Sequence, residues 1–296
     1  MYCMAKHMTD FEPAHRESNT ENNTKSNLQS KAENSKNNCL EKKTTIYLVR
    51  HGTTEWNQQL RYQGRADNPL DDAGERQGSL LENYFADIDV DLGVTSPLQR
   101  AKKTLEYCLA SQKRPVPVIV DPSVIEFDFG VVDGMTKEQL QQLYPEFFRM
   151  YVLNEDRGHA AAPGGESLRQ VYCRMRDGIL RIAREHQGST IVIASHGTAI
   201  QTFLNFASGI PWQEMKHFLL YNVSVSCVEI DPDGTPHIVF VGDRHHVPED
   251  LAFCYSKPQA GEPQAVEPKA VEPQAGAGDH GTAVSGTENE KGNSRV

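Results

Sequence analysis

Residues 46–54 read Ile-Tyr-Leu-Val-Arg-His-Gly-Thr-Thr, an apolar run followed at once by polar groups. The first four residues have the β-branched and aromatic character of a buried strand. Arg50 and His51 then stand at the carboxyl end of that strand, where open α/β sheets bind their ligands. The arginine and the polar donors after it suit a phosphate group. The stretch therefore predicts a phosphate-binding corner at a strand end.

Apolar runs and helical patterns alternate along the chain on the carboxyl side of this corner. Alternation of this kind predicts an α/β fold with a doubly wound, mostly parallel central sheet, helices on both faces, and one or two antiparallel strands near the end. Helices are expected at residues 72–85, 98–111, 136–143, 167–186 and 198–207. Strands are expected at residues 46–49, 92–95, 116–120, 191–194, 223–230 and 237–241.

The two ends of the chain differ from its middle in composition. Residues 1–43 are polar and contain no apolar segment long enough for a signal peptide or a spanning helix. Residues 257–296 include a repeated Glu-Pro-x-Ala unit, whose prolines oppose both helix and sheet. We therefore predict a disordered polar leader over 1–43, one folded domain over 44–256 and a disordered tail over 257–296.

The net charge limits the classes of binding partner, and the cysteines indicate the cellular compartment. The formal net charge of −10 disfavours nucleic acid, whose binders carry a basic face. It is compatible with a small phosphorylated metabolite, which a few local arginines can hold. We predict a cytoplasmic protein with no membrane partner, and a homodimer is left open. Free thiols in a reducing cytosol are favoured over disulfides because the cysteines are scattered, at Cys3, Cys39, Cys108, Cys173, Cys227 and Cys254.

Two other predicted strands also end in polar corners. Residues 96–101, Ser-Pro-Leu-Gln-Arg-Ala, put Arg100 in the first turn of a helix. Ser-His-Gly follows the strand at 191–194 and places His196 and Gly197 at its corner. A doubly wound sheet brings such corners together although they are far apart in sequence. A lone histidine there is more often structural, but two histidines beside two arginines favour catalysis or phosphate binding.

The corner motifs resemble the signatures of the histidine phosphatase superfamily, the phosphoglycerate-mutase-like enzymes, and most of all its cofactor-independent phosphatase branch. The resemblance covers about residues 45–247. Residues 48–54 are similar to the family's first histidine motif, 96–101 to its second arginine motif and 195–197 to its second histidine motif. Residues 125–130, Ile-Glu-Phe-Asp-Phe-Gly, are similar to its acid-bearing loop.

The resemblance implies roles for individual residues. His51 becomes transiently phosphorylated, and Glu126 takes the position of the proton donor. Asn57 donates to the phosphate in the family's pattern, and this role is favoured over the alternatives of capping the helix or facing solvent. Gln63 and Gly64 begin the segment Gln-Gly-Arg-Ala-Asp-Asn-Pro-Leu, which resembles the family's pocket edge and is otherwise only a turn.

The residue types define a chemistry for these positions. A phosphate monoester repels nucleophiles, so the site must neutralise the non-bridging oxygens and leave one direction open for attack. Arg50 and Arg100 are expected to do this, with His196 and the amides at the Gly197 corner. Neutral His51 attacks the phosphorus in line with the ester oxygen. Protonated Glu126 supplies a proton to the departing alkoxide and later takes one from water.

No metal and no cofactor are predicted. Adjacent His245 and His246 raise a metal hypothesis, but no carboxylate set accompanies them. The segment 242–246 resembles the family's closing Asp-x-x-His pattern, which is the better account. The sequence thus predicts a metal-independent phosphomonoesterase that acts through a phosphohistidine on a small phosphorylated metabolite.

Two alternatives to a phosphatase stay open. A phosphoglycerate mutase is disfavoured because residues 126–165 are compact and lack the Glu-Arg-His-Tyr type of sequence of true mutases. A non-catalytic phosphate-binding module is disfavoured because His51 and Glu126 are both present.

The identity of the leaving group is not predicted. Thr198 and Gln201 stand where relatives often have glycine and arginine, in the part of the site that contacts the leaving group. An aromatic-rich set either forms the rim of the pocket or serves as core under a helix; it comprises Tyr144, Phe147, Phe148, Met150, Tyr151 and His159.

Overall fold

Six strands form one sheet in the part of the chain that this computed structural model describes, residues 42–253. Their order across the sheet is β3-β2-β4-β1-β5-β6. The first four pair in parallel, and β5 and β6 pair antiparallel. The prediction of a mostly parallel sheet with antiparallel strands near its end is confirmed. The strands are β1 Thr44–Arg50, β2 Leu92–Thr95, β3 Val118–Val120, β4 Thr190–Ser195, β5 Val225–Ile230 and β6 Pro236–Asp243.

Seven α-helices accompany the sheet within the same residues. Pro145 begins a helix that the sequence did not predict, directly after the backbone turns at Tyr144 with φ −134° and ψ 60°. Proline suits this first position because its missing N–H has no partner in the first turn of a helix. The helices are α1 Glu55–Gln58, α2 Asp72–Tyr84, α3 Gln99–Leu109, α4 Lys137–Leu143, α5 Pro145–Tyr151, α6 Leu168–Glu185 and α7 Gly197–Ala207.

Helices cover both faces of the sheet because the inner strands are apolar on both sides. In β4, Ile191 and Ile193 pack into one core with α6 and α7. Val192 and Ala194 point the other way, into a second core with α2 and α3. This alternation follows from the two-residue period of a strand.

The register of the parallel strands brings three strand ends to one level. Arg50 at the end of β1 pairs with Ser195 at the end of β4, and Thr95 at the end of β2 pairs with Ala194. The residues that follow, His51, Ser96 and His196, therefore leave the sheet along the same carboxyl edge.

The described residues include three cysteines, and their helices can be checked for membrane-spanning length. Cys108, Cys173 and Cys227 are free thiols. Between residues 42 and 253, the helices fall short of the length and apolar character needed to cross a membrane. Residues 1–41 of the predicted leader, the predicted tail and the remaining cysteines, Cys3, Cys39 and Cys254, lie outside the described residues.

Candidate active site

His51 is buried at the end of β1, with 3% of its surface exposed. Its Nδ1 lies 2.6 Å from the carbonyl oxygen of Gly52, so Nδ1 carries the proton and donates it. Burial, and then the positive charges of Arg100 and Arg50, hold the pKa of His51 well below its usual range. The ring is therefore neutral near pH 7, and its Nε2 keeps a lone pair.

Helices α2 and α3 fix the loop that carries His51. The amide of Gly52 donates to Thr104 Oγ1 at 3.1 Å, and the amide of Thr53 donates to Gln77 Oε1 at 2.8 Å. Gly74 of α2 lies so close that a Cβ on it would come within 2.2 Å of the Thr53 carbonyl oxygen. The first turn of α2 therefore needs a glycine to reach this loop.

The second arginine enters the same site from the start of α3. Arg100 is fully buried, and its Nη1 and Nη2 donate to the carbonyl oxygens of Ala66 and Gly64, both at 2.7 Å. Burial lowers the pKa of Arg100 to about 10, so the guanidinium is still charged at neutral pH. Arg50 is buried beside it and donates from Nη1 to the Leu220 carbonyl oxygen at 2.6 Å.

His196 lies opposite His51, with 5.1 Å between the two ring centres. Its Nε2 is 2.8 Å from Ser96 Oγ at the end of β2. Burial lowers its pKa well below the usual range, and Arg100 adds to the effect. We call the four side chains of Arg50, His51, Arg100 and His196 the phosphate cradle.

Three buried polar atoms around the cradle have no hydrogen-bond partner within residues 42–253. They are Arg100 Nε, His196 Nδ1 and Gln63 Nε2. A buried polar atom without a partner costs about 1–3 kcal/mol, so a cluster of them indicates a ligand. At least the arginine and the amide are donors, which fits an anion with several acceptor oxygens.

The side chains of Asn57 and Gln63 both contact the hydroxyl group of Thr54. Thr54 caps α1, and its Oγ1 lies 3.2 Å from Asn57 Oδ1 and 3.1 Å from Gln63 Oε1. Both amide oxygens are thereby turned toward Thr54, so the amide nitrogens are the groups left to contact a ligand. The helix-capping and ligand-binding interpretations of Asn57 are compatible with this arrangement.

Glu126 is buried at the N-terminus of α7. Its Oε2 accepts from the amide of Thr198 at 3.1 Å, and its Oε1 accepts from the amides of Ala199 at 3.0 Å and Phe127 at 2.7 Å. Burial raises the pKa of Glu126, and this outweighs the opposite effect of the amides. The amides of Thr198 and Ala199, which follow Gly197, thus donate to the acid.

Arg174 on α6 holds the acid loop, residues 125–135, and sequence reasoning missed it. It donates to the carbonyl oxygens of Ile125 at 2.6 Å and Glu126 at 2.9 Å, and it pairs with Glu166 at 2.9 Å. Contacts with backbone oxygens leave no trace in the sequence. Nothing sets this arginine apart from the others on the helix, Arg169, Arg176, Arg181 and Arg184.

Asp133 joins the acid loop to the cradle. Its carboxylate accepts from the amides of Gly64 at 2.7 Å and Ala66 at 2.9 Å. The same two residues accept the hydrogen bonds of Arg100. The position of the acid and that of the arginine are therefore coupled through one short loop.

The aromatic-rich set divides between core and rim. Phe147 and Phe148 are buried in the core. Tyr144 and Met150 pack against that core, and His159 contacts the ring of Trp212. Tyr151 stacks on Phe147, and its hydroxyl lies 3.4 Å from Thr198 Oγ1. Thr198 is also the residue whose amide donates to Glu126.

The adjacent histidines at the end of β6 have separate partners. His245 pairs with Asp243 at 2.9 Å, and Tyr84 donates to the same carboxylate at 3.0 Å. His246 Nε2 is 3.1 Å from the Val223 carbonyl oxygen. No group of three or more His, Cys, Asp or Glu side chains in the described part of the chain is placed to hold a metal ion.

Fold and site together define an α/β enzyme that handles phosphate esters, and comparison with known proteins gives its family. Residues 46–244 match the family model of the histidine phosphatase superfamily, branch 1. The chain belongs to this family and is a phosphatase of the histidine type.

Relatives agree with this membership. The uncharacterized phosphatase PhoE of Bacillus subtilis is 32% identical over 186 residues, which are 63% of this chain and 88% of PhoE. Phosphoserine phosphatase 1 of Hydrogenobacter thermophilus is 32% identical over 187 residues, 63% of this chain and 86% of that protein. The solved structure of Bacillus stearothermophilus YhfR superposes with a TM-score of 0.64 at 29% identity, covering 69% of this chain and 98% of YhfR.

Proposed function

We propose that this phosphatase hydrolyses a small phosphorylated metabolite through a phosphohistidine at His51, without a metal ion. One observation carries the proposal. The Nδ1 of His51 is tied to the Gly52 carbonyl oxygen at 2.6 Å, which keeps the Nε2 lone pair on the neutral ring inside the phosphate cradle. A nucleophile held in one tautomer and surrounded by cations is prepared for attack on an anionic phosphorus centre.

The first step transfers the phosphoryl group to the enzyme. The Nε2 of His51 forms a bond to phosphorus while the bond to the ester oxygen breaks. The charge on the phosphoryl oxygens is balanced by Arg50 and Arg100. Glu126, whose pKa is raised by burial, gives its proton to the departing oxygen, so the product is a neutral alcohol.

The second step returns the enzyme to its starting state. Water attacks phosphorus and the bond to His51 Nε2 breaks. The Glu126 carboxylate takes the proton of the attacking water, so inorganic phosphate leaves and the acid is protonated again. The amides of Thr198 and Ala199 stabilise the carboxylate between the two steps.

The substrate class rests on the unpartnered polar atoms in and beside the cradle and on relatives. The buried donors Arg100 Nε and Gln63 Nε2 suit a phosphate group, and the relative from Hydrogenobacter thermophilus is named a phosphoserine phosphatase. A mutase, which keeps the phosphoryl group and returns it to a bound product, uses the same first step. The fate of the phosphoryl group therefore separates the two functions.

The test follows a labelled phosphoryl group in the presence of EDTA. The full chain is mixed with radiolabelled phosphate monoesters, quenched, and analysed both for free phosphate and for an acid-labile protein adduct mapped by mass spectrometry. We expect release of phosphate and a label on His51. A label on another residue, or activity that EDTA abolishes, contradicts the mechanism. Transfer of the label to a second phosphoglycerate without release of phosphate indicates a mutase.

We also propose the reducing cytosol as the compartment. Three free thiols in the described residues support it, since disulfides prevail in oxidising compartments. Recovery of the protein from the cytosolic fraction with its thiols open to alkylation is the expected result. A homodimer stays a prediction that sedimentation tests directly.

A further inference from the structure

A second group of polar side chains lies at the first turns of α7, beside Glu126. It is formed by Arg157, Thr198, Gln201, Lys216 and His217, which we call the anion pocket. The first four line a cavity next to the first turns of α7. His217 contacts Gln201 from the loop that follows α7. The proposed mechanism uses none of these side chains. It uses only the backbone amide of Thr198, which donates to Glu126.

The proton of His217 is fixed by a chain of hydrogen bonds. The amide of Phe218 donates to Gln201 Oε1 at 3.0 Å, which identifies that atom as the oxygen of the side-chain amide. The nitrogen of the same amide must then donate to His217 Nδ1, at 3.0 Å. Burial lowers the pKa of His217 to about 4, so the ring is neutral and its single proton is on Nε2. That Nε2 is buried and has no hydrogen-bond partner in the described part of the chain.

The loop that carries His217 is anchored to α7. Asn205 accepts from the Lys216 amide at 2.7 Å and donates to the Lys216 carbonyl oxygen at 2.9 Å. Both bonds are to backbone groups, so they hold the loop whatever its side chains do. The His217 donor is therefore held in place before a ligand arrives.

Arg157 brings a positive charge that forms no ion pair with a carboxylate of residues 42–253. Its guanidinium lies 5.3 Å from the centre of the Tyr151 ring, and its Nε is buried without a hydrogen-bond partner among residues 42–253. Neither Arg157 nor Lys216 is among the ion pairs formed by the described residues. Arg149, in contrast, pairs with Glu155 at 2.6 Å. Arg157 is partly buried and Lys216 is exposed, and a partly buried cationic donor such as Arg157 favours a ligand with acceptor atoms and negative charge.

The anion pocket adjoins the position of the leaving group. Burial, and then the positive charges of Arg157 and Arg50, lower the pKa of His217. The Tyr151 hydroxyl contacts Thr198, whose amide binds Glu126. The pocket is thus next to the acid that meets the departing oxygen.

We propose that the anion pocket binds an acidic group of the leaving alcohol, with Arg157 and His217 as its donors. The inference rests on the proposed function, because it concerns the part of the substrate that departs when phosphate is transferred. A neutral polyol would present donors as well as acceptors. The two unpartnered groups are both donors, so a carboxylate or a second phosphate, which only accepts, fits them best.

Matched pairs of substrates test the proposal on the full chain. Each pair differs in the acidic group alone or nearly so: O-phosphoserine against O-phosphoethanolamine, 3-phosphoglycerate against glycerol 1-phosphate, and fructose 1,6-bisphosphate against fructose 6-phosphate. We expect kcat/KM to favour the acidic member of at least one pair by roughly tenfold or more. Preference in the first two pairs identifies a carboxylate, and preference in the third identifies a second phosphate.

Two variants and a control tie the preference to the pocket. Arg157→Met and His217→Phe are expected to lower kcat/KM for the preferred substrate by roughly 10- to 100-fold. Both variants should leave nitrophenyl phosphate, and the member of the pair that lacks the additional acidic group, nearly unchanged. Arg149→Met, which removes an equal charge from α5, is expected to change neither. Unchanged activity on nitrophenyl phosphate also shows that each variant is folded.

The outcomes separate this inference from the proposed function. Phosphohistidine formation from nitrophenyl phosphate without any preference between pair members overturns the anion pocket alone. Equal losses on both members of a pair in Arg157→Met and His217→Phe also overturn it. Absence of a phosphohistidine from every substrate overturns the proposed function instead.

Discussion

The phosphate cradle and the anion pocket lie side by side at one edge of the sheet, yet they are built differently. The cradle takes its side chains from residues directly at or after the ends of β1, β2 and β4, and both terminal nitrogens of Arg100 are tied to backbone oxygens. The pocket takes Arg157 from a 3-10 segment and His217 from a loop after α7. Strand ends thus provide the groups proposed to react, and connections provide the groups proposed to bind the leaving alcohol.

The cradle and the anion pocket are also proposed to contact different parts of the substrate. Donors of the cradle face the phosphate, which every substrate carries. Donors of the pocket face the leaving group, which differs among substrates. Changes in the cradle should therefore affect all substrates alike, whereas changes near Glu126 and in the pocket should depend on the leaving group.

The largest effect is expected from His51→Ala. Removing the proposed nucleophile should lower kcat by several orders of magnitude on every substrate, because the first step forms its bond to phosphorus at the Nε2 of His51. Steady-state phosphate release measures this loss, with His237→Ala on the exposed edge strand β6 as the control. Appreciable activity of the variant on any substrate would show that not all substrates depend on His51 of the cradle.

Arg100→Met is expected to be next in magnitude. Loss of a buried guanidinium leaves the phosphate under-compensated and should cost about 2–5 kcal/mol of binding to the transition state, equally for all leaving groups. Vanadate affinity and kcat/KM are the measurements. Arg100→Lys keeps the charge but loses the contacts with Gly64 and Ala66, so an intermediate value is expected. Vanadate binding as tight as in the wild type would contradict the role of Arg100.

Glu126→Gln should separate leaving groups rather than lower all rates alike. A proton donor matters most for a strongly basic departing oxygen, so alkyl and sugar phosphates should lose far more activity than nitrophenyl phosphate. Since burial raises the pKa of Glu126, the wild type should keep its activity below that pKa and lose it as the pH rises through it. The variant should lack this alkaline decline. Equal losses on both kinds of substrate would assign Glu126 a positioning role.

Arg174→Met is expected to give the smallest of these effects. Displacement of the acid loop should lower kcat for alkyl phosphates by roughly tenfold, through Glu126, and change nitrophenyl phosphate hydrolysis less. The alkaline limb of the pH profile should shift in the same variant, which loss of stability alone would not cause. Arg176→Met removes the neighbouring arginine that pairs with Asp177 and is the matched control. An unchanged pH profile would mean that the acid is held without Arg174.

The sequence predicted the sheet and the composition of the cradle because both depend on local patterns. Apolar runs of β-branched residues mark the inner strands, and His51, Arg100 and His196 follow their ends within a few residues. A parallel sheet then necessarily collects those ends on one edge. Helix α5 was missed because it is seven residues long and starts at a proline within a stretch expected to line or underlie the pocket.

Tertiary structure alone determined how the acid is held and where the pocket lies. Glu126 reaches the first amides of α7 from a loop about 70 residues earlier in the chain. Arg174 and Asp133 act on backbone groups, and His217 depends on a side-chain amide whose orientation is set by another backbone amide. Such contacts join segments distant in sequence and can be made to any residue type, so no local pattern records them. The sequence by itself thus determined which reactive side chains follow the strand ends. Only the packing of the connecting segments decided how the acid loop and the anion pocket are placed beside them.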